Sequence, residues 1–396
     1  MDENSGNTDF IAFGGEKDEV KKDEKTVRDD YRDYVYMHPV KKKKTKSGKT
    51  RHKSHRKKRK MKTWKKVLLA VACTLLALVL LTVGTAVFLI FKGKSDLLTD
   101  DIQISSPDGI EAIVQEGGQY IVYNGVTYKY NENVTNFIFI GVDKENLDDL
   151  TVQGTGGQAD VIVMMALDLK NRKLTMTNIP RDTMTDVAVY SASGYYTGMQ
   201  RQQICLSYAY GDGKETSCNN TMASAKRIFY NIPVSTFYSL DLEGIAPIND
   251  AIGGVDVVSP ETIEKFTAGQ SYHLQGNDAR RFIKARVKDR ADASLLRNKR
   301  HQVYAQAFMS KVMTAVKENP SYALDLFNES APYSCTNFNA AKVMYLAQDI
   351  ALHGSLKVEI KTVPGKASLN SDNKAEYNIS EKEFYEQFLG IYYEKM

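Results

Sequence analysis

The chain has 396 residues, 26% of them charged, and a formal net charge of +5, a length that suits one large domain or two medium ones. The charge is divided unevenly: residues 1–40 hold eleven Asp/Glu against six Lys/Arg, residues 41–66 hold sixteen Lys/Arg and no acid, and the remainder carries about −6. So charged a leading segment has too few apolar side chains to offset chain entropy, which excludes a folded N-terminal domain and makes residues 1–66 a disordered tail, basic from residue 41.

Directly after the basic run comes "VLLAVACTLLALVLLTVGTAVFLIF", residues 67–91. An uncharged stretch of about 25 residues, at 1.5 Å per residue, is long enough to cross a bilayer as a helix. Its basic flank lies on the N-terminal side, so the positive-inside rule places 1–66 in the cytoplasm and 92–396 outside the cell membrane, a single-pass arrangement. The basic run then faces anionic lipid headgroups. It carries no aromatic platform for stacking bases, and no nucleic-acid partner is expected.

Residues 92–130 read as a polar stalk followed by a hairpin, "QYIVYNGVTYKY", centred on Asn124-Gly125. Strands follow at 136–143, 160–169 and 173–179; the middle one is almost continuously apolar, as a strand covered on both faces would be. Beyond residue 198 helical spacing appears at 205–210, 220–232, 278–287, 295–318, 338–353 and 381–393, with extended segments at 234–242, 253–260 and 356–363. Strands alternating with helices predict an α/β or α+β sandwich over 131–396, helices packed over a central mixed sheet. Cys205 and Cys218 flank a short loop in this part. They are either a disulfide or two unrelated small apolar residues.

Three carboxylates stand at the ends of extended segments: Asp143, Asp160 and Asp182. Loops at strand ends present polar groups above a rigid floor, and paired carboxylates there suit Mg²⁺, which takes a few hard oxygens and leaves its other positions to phosphate and water. Each is also acceptable as a turn residue. Arg181 precedes Asp182 in "NIPRDT", and Arg286, Arg297 and Arg300 lie on the following helices. The stripe Ala305, Phe308, Met309, Val312 and Val316 marks the buried face of the 295–318 helix, with His301 inside that sector and Arg297 and Arg300 beside it. Guanidiniums flanking a buried face need anionic partners, either surface ion pairs or a phosphate ligand gripped by their planar forks. The chain has no HExxH, GxSxG or Walker spacing.

Four segments in order, "NFIFIGVD", "ADVIVMMALDLKNRKLTMTNIPRDT", "AIGGVDVVSP" and "GNDARRFIKARVKDRADASLLRNKRH", resemble the landmarks of the LytR-CpsA-Psr (LCP) family of bacterial cell-envelope proteins. The likeness spans about residues 135–310, and the tail and single membrane segment match the family layout. It implies an α/β/α sandwich with a hydrophobic lipid groove, and a Mg²⁺-dependent phosphotransferase. Such enzymes move a wall glycopolymer, a teichoic acid or capsule, from polyprenyl pyrophosphate to peptidoglycan; a pyrophosphatase side activity also follows from the likeness. Carried over by position, Asp143 and Asp160 hold Mg²⁺ on the pyrophosphate, Arg181 holds the phosphates with Asp182 steadying its loop, and Arg286, Arg297 and Arg300 complete a cationic clamp. Asp143, Arg181 and Asp182 are the implied catalytic residues. The chain departs from the family pattern at Lys284 and His301, both placed in the substrate-binding set. The alternative is a non-catalytic envelope protein that binds polyprenyl phosphate or glycan.

Overall fold

The computed structural model describes residues 102–107, 109–144, 157–191, 193–285 and 293–396, with Thr74 and Lys92 as single helical positions, and only the backbone of 293–295. All belong to the second of the chain's two units, Lys66–Met396. The expected tail at 1–66 and, but for Thr74, the expected membrane segment at 67–91 lie outside the described residues. No described helix is long and apolar enough to cross a membrane.

In chain order the strands are β1 (Ala112–Gln115), β2 (Tyr120–Tyr123), β3 (Val126–Tyr130), β4 (Val134–Val142), β5 (Ala159–Asp168), β6 (Lys173–Ile179), β7 (Met184–Tyr190) and β8 (Tyr196–Gln203). They continue as β9 (Thr236–Leu240), β10 (Val255–Val258), β11 (Ser271–Leu274), β12 (Ser334–Thr336), β13 (Lys357–Thr362), β14 (Gly365–Leu369), β15 (Ala375–Ile379) and β16 (Tyr393–Lys395). The helices are α1 (Leu206–Ala209), α2 (Glu215–Ile228), α3 (Ile245–Ala251), α4 (Asn277–Lys284), α5 (Ala293–Glu318), α6 (Ser321–Ser330), α7 (Ala340–His353) and α8 (Glu381–Tyr392).

Six strands form the central mixed sheet, ordered β12-β9-β4-β5-β6-β13. The β4-β5-β6 meander is antiparallel, whereas β9 joins β4 and β13 joins β6 in parallel. Side chains alternate across a strand, and β5 uses both phases. Ile162, Met164 and Ala166 enter one apolar cluster with Phe229 after α2 and Phe384, Phe388 and Tyr392 of α8. Val163, Met165 and Leu167 enter another with Met313 of α5, against which Met309 of α5 and Leu346 of α7 pack. Two-sided burial explains the apolar run in the sequence, each enclosed side chain contributing about 1.5–3 kcal/mol. The result is the expected mixed α/β sandwich.

Asn124 and Gly125 take φ of 52° and 73°, the left-handed pair that a two-residue hairpin loop requires. This hairpin belongs to a four-stranded sheet, β1-β2-β3-β16. The segment read as stalk is therefore a paired strand from Ala112 onward, with Ala112 opposite Tyr123. Two further hairpins are β7-β8 and β14-β15; β8 and β14 are mostly exposed and carry little apolar periodicity, whereas β7 buries Thr185 and Val187.

Candidate active site

Between the sheet and helices α5, α6 and α7 lies a cavity of ≈ 510 Å³, walled by Phe139, Met165, Met176, Phe308, Met309 and Leu346 among others. It is a cleft open to solvent whose walls are mostly apolar. Asp143, Asp160, Lys284, Arg297 and His301 also line it, so five of the residues singled out in the sequence gather at one greasy cleft.

The strand ends explain how. Along β5, Val161, Val163 and Met165 all face the cavity. Strict alternation would turn Asp160 to the opposite face. Instead Gly141 pairs with Val161 and Val142 with Ala159, leaving Asp160 as the extra residue of a β-bulge. The bulge shifts the phase by one and delivers Asp160 to the cavity side. Gly141 permits it: a Cβ there would lie 3.0 Å from Val161 Cβ. Asp143, just past β4, is tied by its amide N–H to the Gln158 carbonyl at 3.0 Å.

Pro180 ends β6 and starts a turn in which the Thr183 amide donates to the Pro180 carbonyl at 3.0 Å and the Thr183 hydroxyl donates to the same oxygen at 2.6 Å. Arg181 and Asp182 are the central residues of that turn. The Arg181 guanidinium is ion-paired to Asp160 and hydrogen-bonded to the Gln158 side chain. Its Nε lies 3.6 Å from Asp182 Oδ1, and Nη2 lies 3.6 Å from Cys205 Sγ. Asp182 also accepts from Gln203 Nε2 at 3.2 Å. Burial raises the Asp182 carboxyl above its ordinary pKa, against the opposing pull of Arg181 and Arg297. Arg297 Nη1 stands 3.6 Å from Asp160 Oδ2, with side chains 12% and 13% exposed. One carboxylate thus joins guanidiniums from the β6 turn and from α5.

His301 packs against the end of α4, its Nε2 3.1 Å from the Ile283 carbonyl. Burial, helped by the neighbouring Arg297 charge, lowers its pKa to about 4, so at neutral pH the ring is uncharged and donates its N–H. It lines the cleft without adding positive charge.

Arg300 does not belong to the clamp. Only 1% exposed, it is ion-paired with buried Glu261 and donates to the carbonyls of Phe282, at 2.9 Å, and Ala285. These are terminal carbonyls of α4 that lack helical partners. The three-residue offset from Arg297 turns Arg300 away from the cleft toward α4, where it serves as a helix cap. Burial lowers its pKa, and Glu261 opposes that shift. Arg286 lies outside the described residues.

The Cys205–Cys218 pairing is also corrected: both thiols are free and buried. Cys205 lies beside Arg181, its amide N–H bonded to the Arg181 carbonyl at 3.1 Å, while Cys218 on α2 meets Cys335. Gln158, which accepts from Arg181, Gln203, which donates to Asp182, and Glu261, the partner of Arg300, are not singled out by the sequence, and Cys205 is singled out there only as half of a candidate disulfide and not as a neighbour of Arg181. Polar residues at strand ends and after a hairpin carry no spacing signal.

Asp143 and Asp160 supply hard carboxylate oxygens at the cavity mouth, a donor set that fits Mg²⁺ with its usual complement of water and phosphate. Among the described residues no group of three His, Cys, Asp or Glu side chains forms a metal cluster. A closed, all-protein site of the zinc type is therefore not built here by the described residues.

The architecture and site together define an α/β sandwich protein with a carboxylate–guanidinium mouth over an apolar cleft. The family model described as LytR_cpsA_psr matches residues 110–389, and the chain belongs to that family. It is 23% identical over 254 residues to the polyisoprenyl-teichoic acid–peptidoglycan teichoic acid transferase TagV of Bacillus subtilis, a match covering 61% of this chain and 59% of that protein. It is 26% identical over 201 residues to the transferase TagU of Bacillus cereus, covering 46% of this chain and 58% of the relative. The chain thus matches less than two thirds of the length of these curated relatives. The fold is shared with protein gbs0355 of Streptococcus agalactiae, with a TM-score of 0.53 and 17% identity over 65% of this chain and 86% of that structure.

Proposed function

We propose that this protein is a membrane-anchored phosphotransferase that moves a glycopolymer from a polyprenyl pyrophosphate carrier to a peptidoglycan sugar hydroxyl. One observation carries the reading: Asp160 and Arg297 line a ≈ 510 Å³ apolar cleft and are 3.6 Å apart, with Arg181 ion-paired to the same Asp160 from outside the lining, in a chain of the LytR-CpsA-Psr family. The cleft suits an isoprenoid tail and the mouth a pyrophosphate. The names of the relatives TagV and TagU, teichoic acid transferases acting between polyisoprenyl carrier and peptidoglycan, point the same way.

In the proposed reaction the acceptor hydroxyl oxygen bonds to the phosphorus that bears the polymer. The P–O bond to the lipid phosphate breaks, and polyprenyl phosphate leaves with the electron pair. The hydroxyl proton passes to a carboxylate at the mouth, for which Asp143 is the candidate. Arg181 and Arg297 exchange Asp160 for phosphate oxygens and stabilise the charge that develops on them. Asp182 and Gln158 keep the Arg181 fork aimed. Asp143 and Asp160 are the residues that would hold Mg²⁺, whose positive charge would neutralise the pyrophosphate. The segment 67–91 anchors the chain with residues 1–66 in the cytoplasm and the catalytic domain outside, where peptidoglycan is reached.

The test is full-length protein in detergent with a polyprenyl-pyrophosphate-linked glycan, Mg²⁺ and peptidoglycan oligomers. Polymer should become covalently attached to the oligomers, with one polyprenyl phosphate released per transfer. Folded protein that binds the lipid without turning it over would overturn the enzymatic reading in favour of a lipid-binding envelope protein. Protease digestion from outside intact cells should remove the domain beyond residue 92; protection of that domain would overturn the topology.

A further inference from the structure

We infer that Cys218 and Cys335 form a redox-active dithiol that closes to a disulfide between α2 and the edge strand β12. The two residues are 117 positions apart in the chain, and the fold brings them together: α2 packs over β9 and β12, and Cys335 packs against the buried cluster that contains Cys218. Cys335 pairs with Ser239 in the sheet, and the Ser239 hydroxyl donates to the Cys335 carbonyl at 3.0 Å. The contact is therefore held by a helix, a strand pair and a side-chain hydrogen bond.

The two sulfurs differ in a way that gives each a task. Cys218 is completely buried and Cys335 is partly exposed. The hydrogen bond from the Cys218 thiol favours the Cys335 thiolate and lowers its pKa, while the same bond and then burial raise that of Cys218. Cys335 is the attacking nucleophile, since thiolate character and access control thiol reactivity. Its thiolate attacks one sulfur of an external disulfide, such as a thioredoxin-like oxidase or oxidised glutathione, and expels one thiolate. Cys218 then attacks the Cys335 sulfur of the mixed disulfide, expelling the second thiolate. The pair loses two electrons, the external disulfide gains them, and the two protons of the pair go to the departing thiols.

The link would fasten α2 to the strand that lies between α6 and α7. Ser330 at the end of α6, Phe338 just before α7 and Val343 within α7 line the apolar cleft, so the staple braces a wall of that cleft. This inference does not depend on the transferase reading.

The test uses full-length protein in detergent, reduced and then exposed to oxidised glutathione, followed by alkylation and peptide mapping without reductant. The expected product joins the Cys218 and Cys335 peptides, forms equally in Cys205→Ser, is absent from Cys335→Ser and Cys335→Ala, and raises Tm by about 5 °C or more. Three outcomes would each overturn the inference: a Cys205–Cys218 link, a glutathione adduct that persists on Cys335, or thiols that remain unmodified.

Discussion

Arg297 of α5 reaches across the cleft to within 3.6 Å of Asp160 on β5, and the same carboxylate is ion-paired with Arg181. Two guanidiniums that are 116 residues apart in the chain therefore share one acidic partner. Phosphate oxygens offer the same bidentate geometry with more charge, so the exchange of partners is the step at which the residues should be probed.

Replacing Arg181 by Lys keeps the charge and discards the planar fork. Transfer should fall about 10²-fold or more, the usual consequence of losing one donor to developing charge, while thermal stability changes little. Arg297→Lys should behave alike. Single-turnover assays beside melting curves check this; a stable Arg181→Lys protein of unchanged rate contradicts the assigned role.

Arg300 should respond in the opposite way. Because Glu261 would be left as a buried, unpartnered charge, Arg300→Ala should destabilise the fold by about 3–5 kcal/mol. Arg300→Met combined with Glu261→Leu should recover most of that loss. Urea unfolding of the three proteins distinguishes a helix cap from a ligand-binding residue.

Stability should depend on pH through His301. Its folded-state pKa, about 4, lies below the unfolded value of about 6.5, so the unfolded chain binds the proton more readily. The contribution is complete above pH of about 6.5 and is lost as pH falls toward about 4, amounting to roughly 2 kcal/mol for a ring partly open to a cleft. His301→Gln should flatten the stability profile across that window, as followed by denaturant titration at several pH values.

Asp182 supplies a kinetic counterpart. Burial raises its pKa, so the acid limb of the kcat/KM profile should stand above the ordinary aspartate range, activity falling as the carboxyl is protonated and its hold on Arg181 weakens. In Asp182→Asn that limb should vanish and the rate remain low at every pH.

Filling the cleft tests its occupant. Ala305 lines the cavity, and Ala305→Phe places a ring where an isoprenoid chain would lie. Binding of a fluorescent polyprenyl phosphate should weaken at least about tenfold, since displacing two buried methylenes' worth of contact is already ~1.6 kcal/mol. Melting temperature serves as the control for folding.

Much of this architecture was legible from residue patterning. The two-sided apolar run of β5, the Asn124-Gly125 turn and the stripe on α5 each report a local physical requirement, and Ala305, Phe308, Met309 and Val312 do line the cleft. The site was legible only where chemistry and position coincide, as in Arg181-Asp182 after Pro180. Arg300 misled because spacing fixes which helical face a residue occupies only to within a wide sector, and Glu261, 39 residues away, chose its direction. Cys218 misled for a related reason: proximity in sequence to Cys205 says nothing about Cys335, which only the sheet brings near. Strands β8 and β14 escaped notice because exposed strands need no apolar alternation.

Because Asp160 reaches the cleft through a bulge, this stretch of chain should withstand a change of side chain better than a change of length. Excising a single residue from the end of β5 would restore an unbroken pleat, swing the acid into the opposite oily layer and take from Arg181 and Arg297 the carboxylate they share. Substituting a larger residue for Gly141 would press on the same spot from the neighbouring strand. Insertions and deletions here should therefore be purged far more severely than point changes among the aromatic wall residues, and the spacing between the two strand ends is a stricter signature of a working member than the identity of any one wall residue.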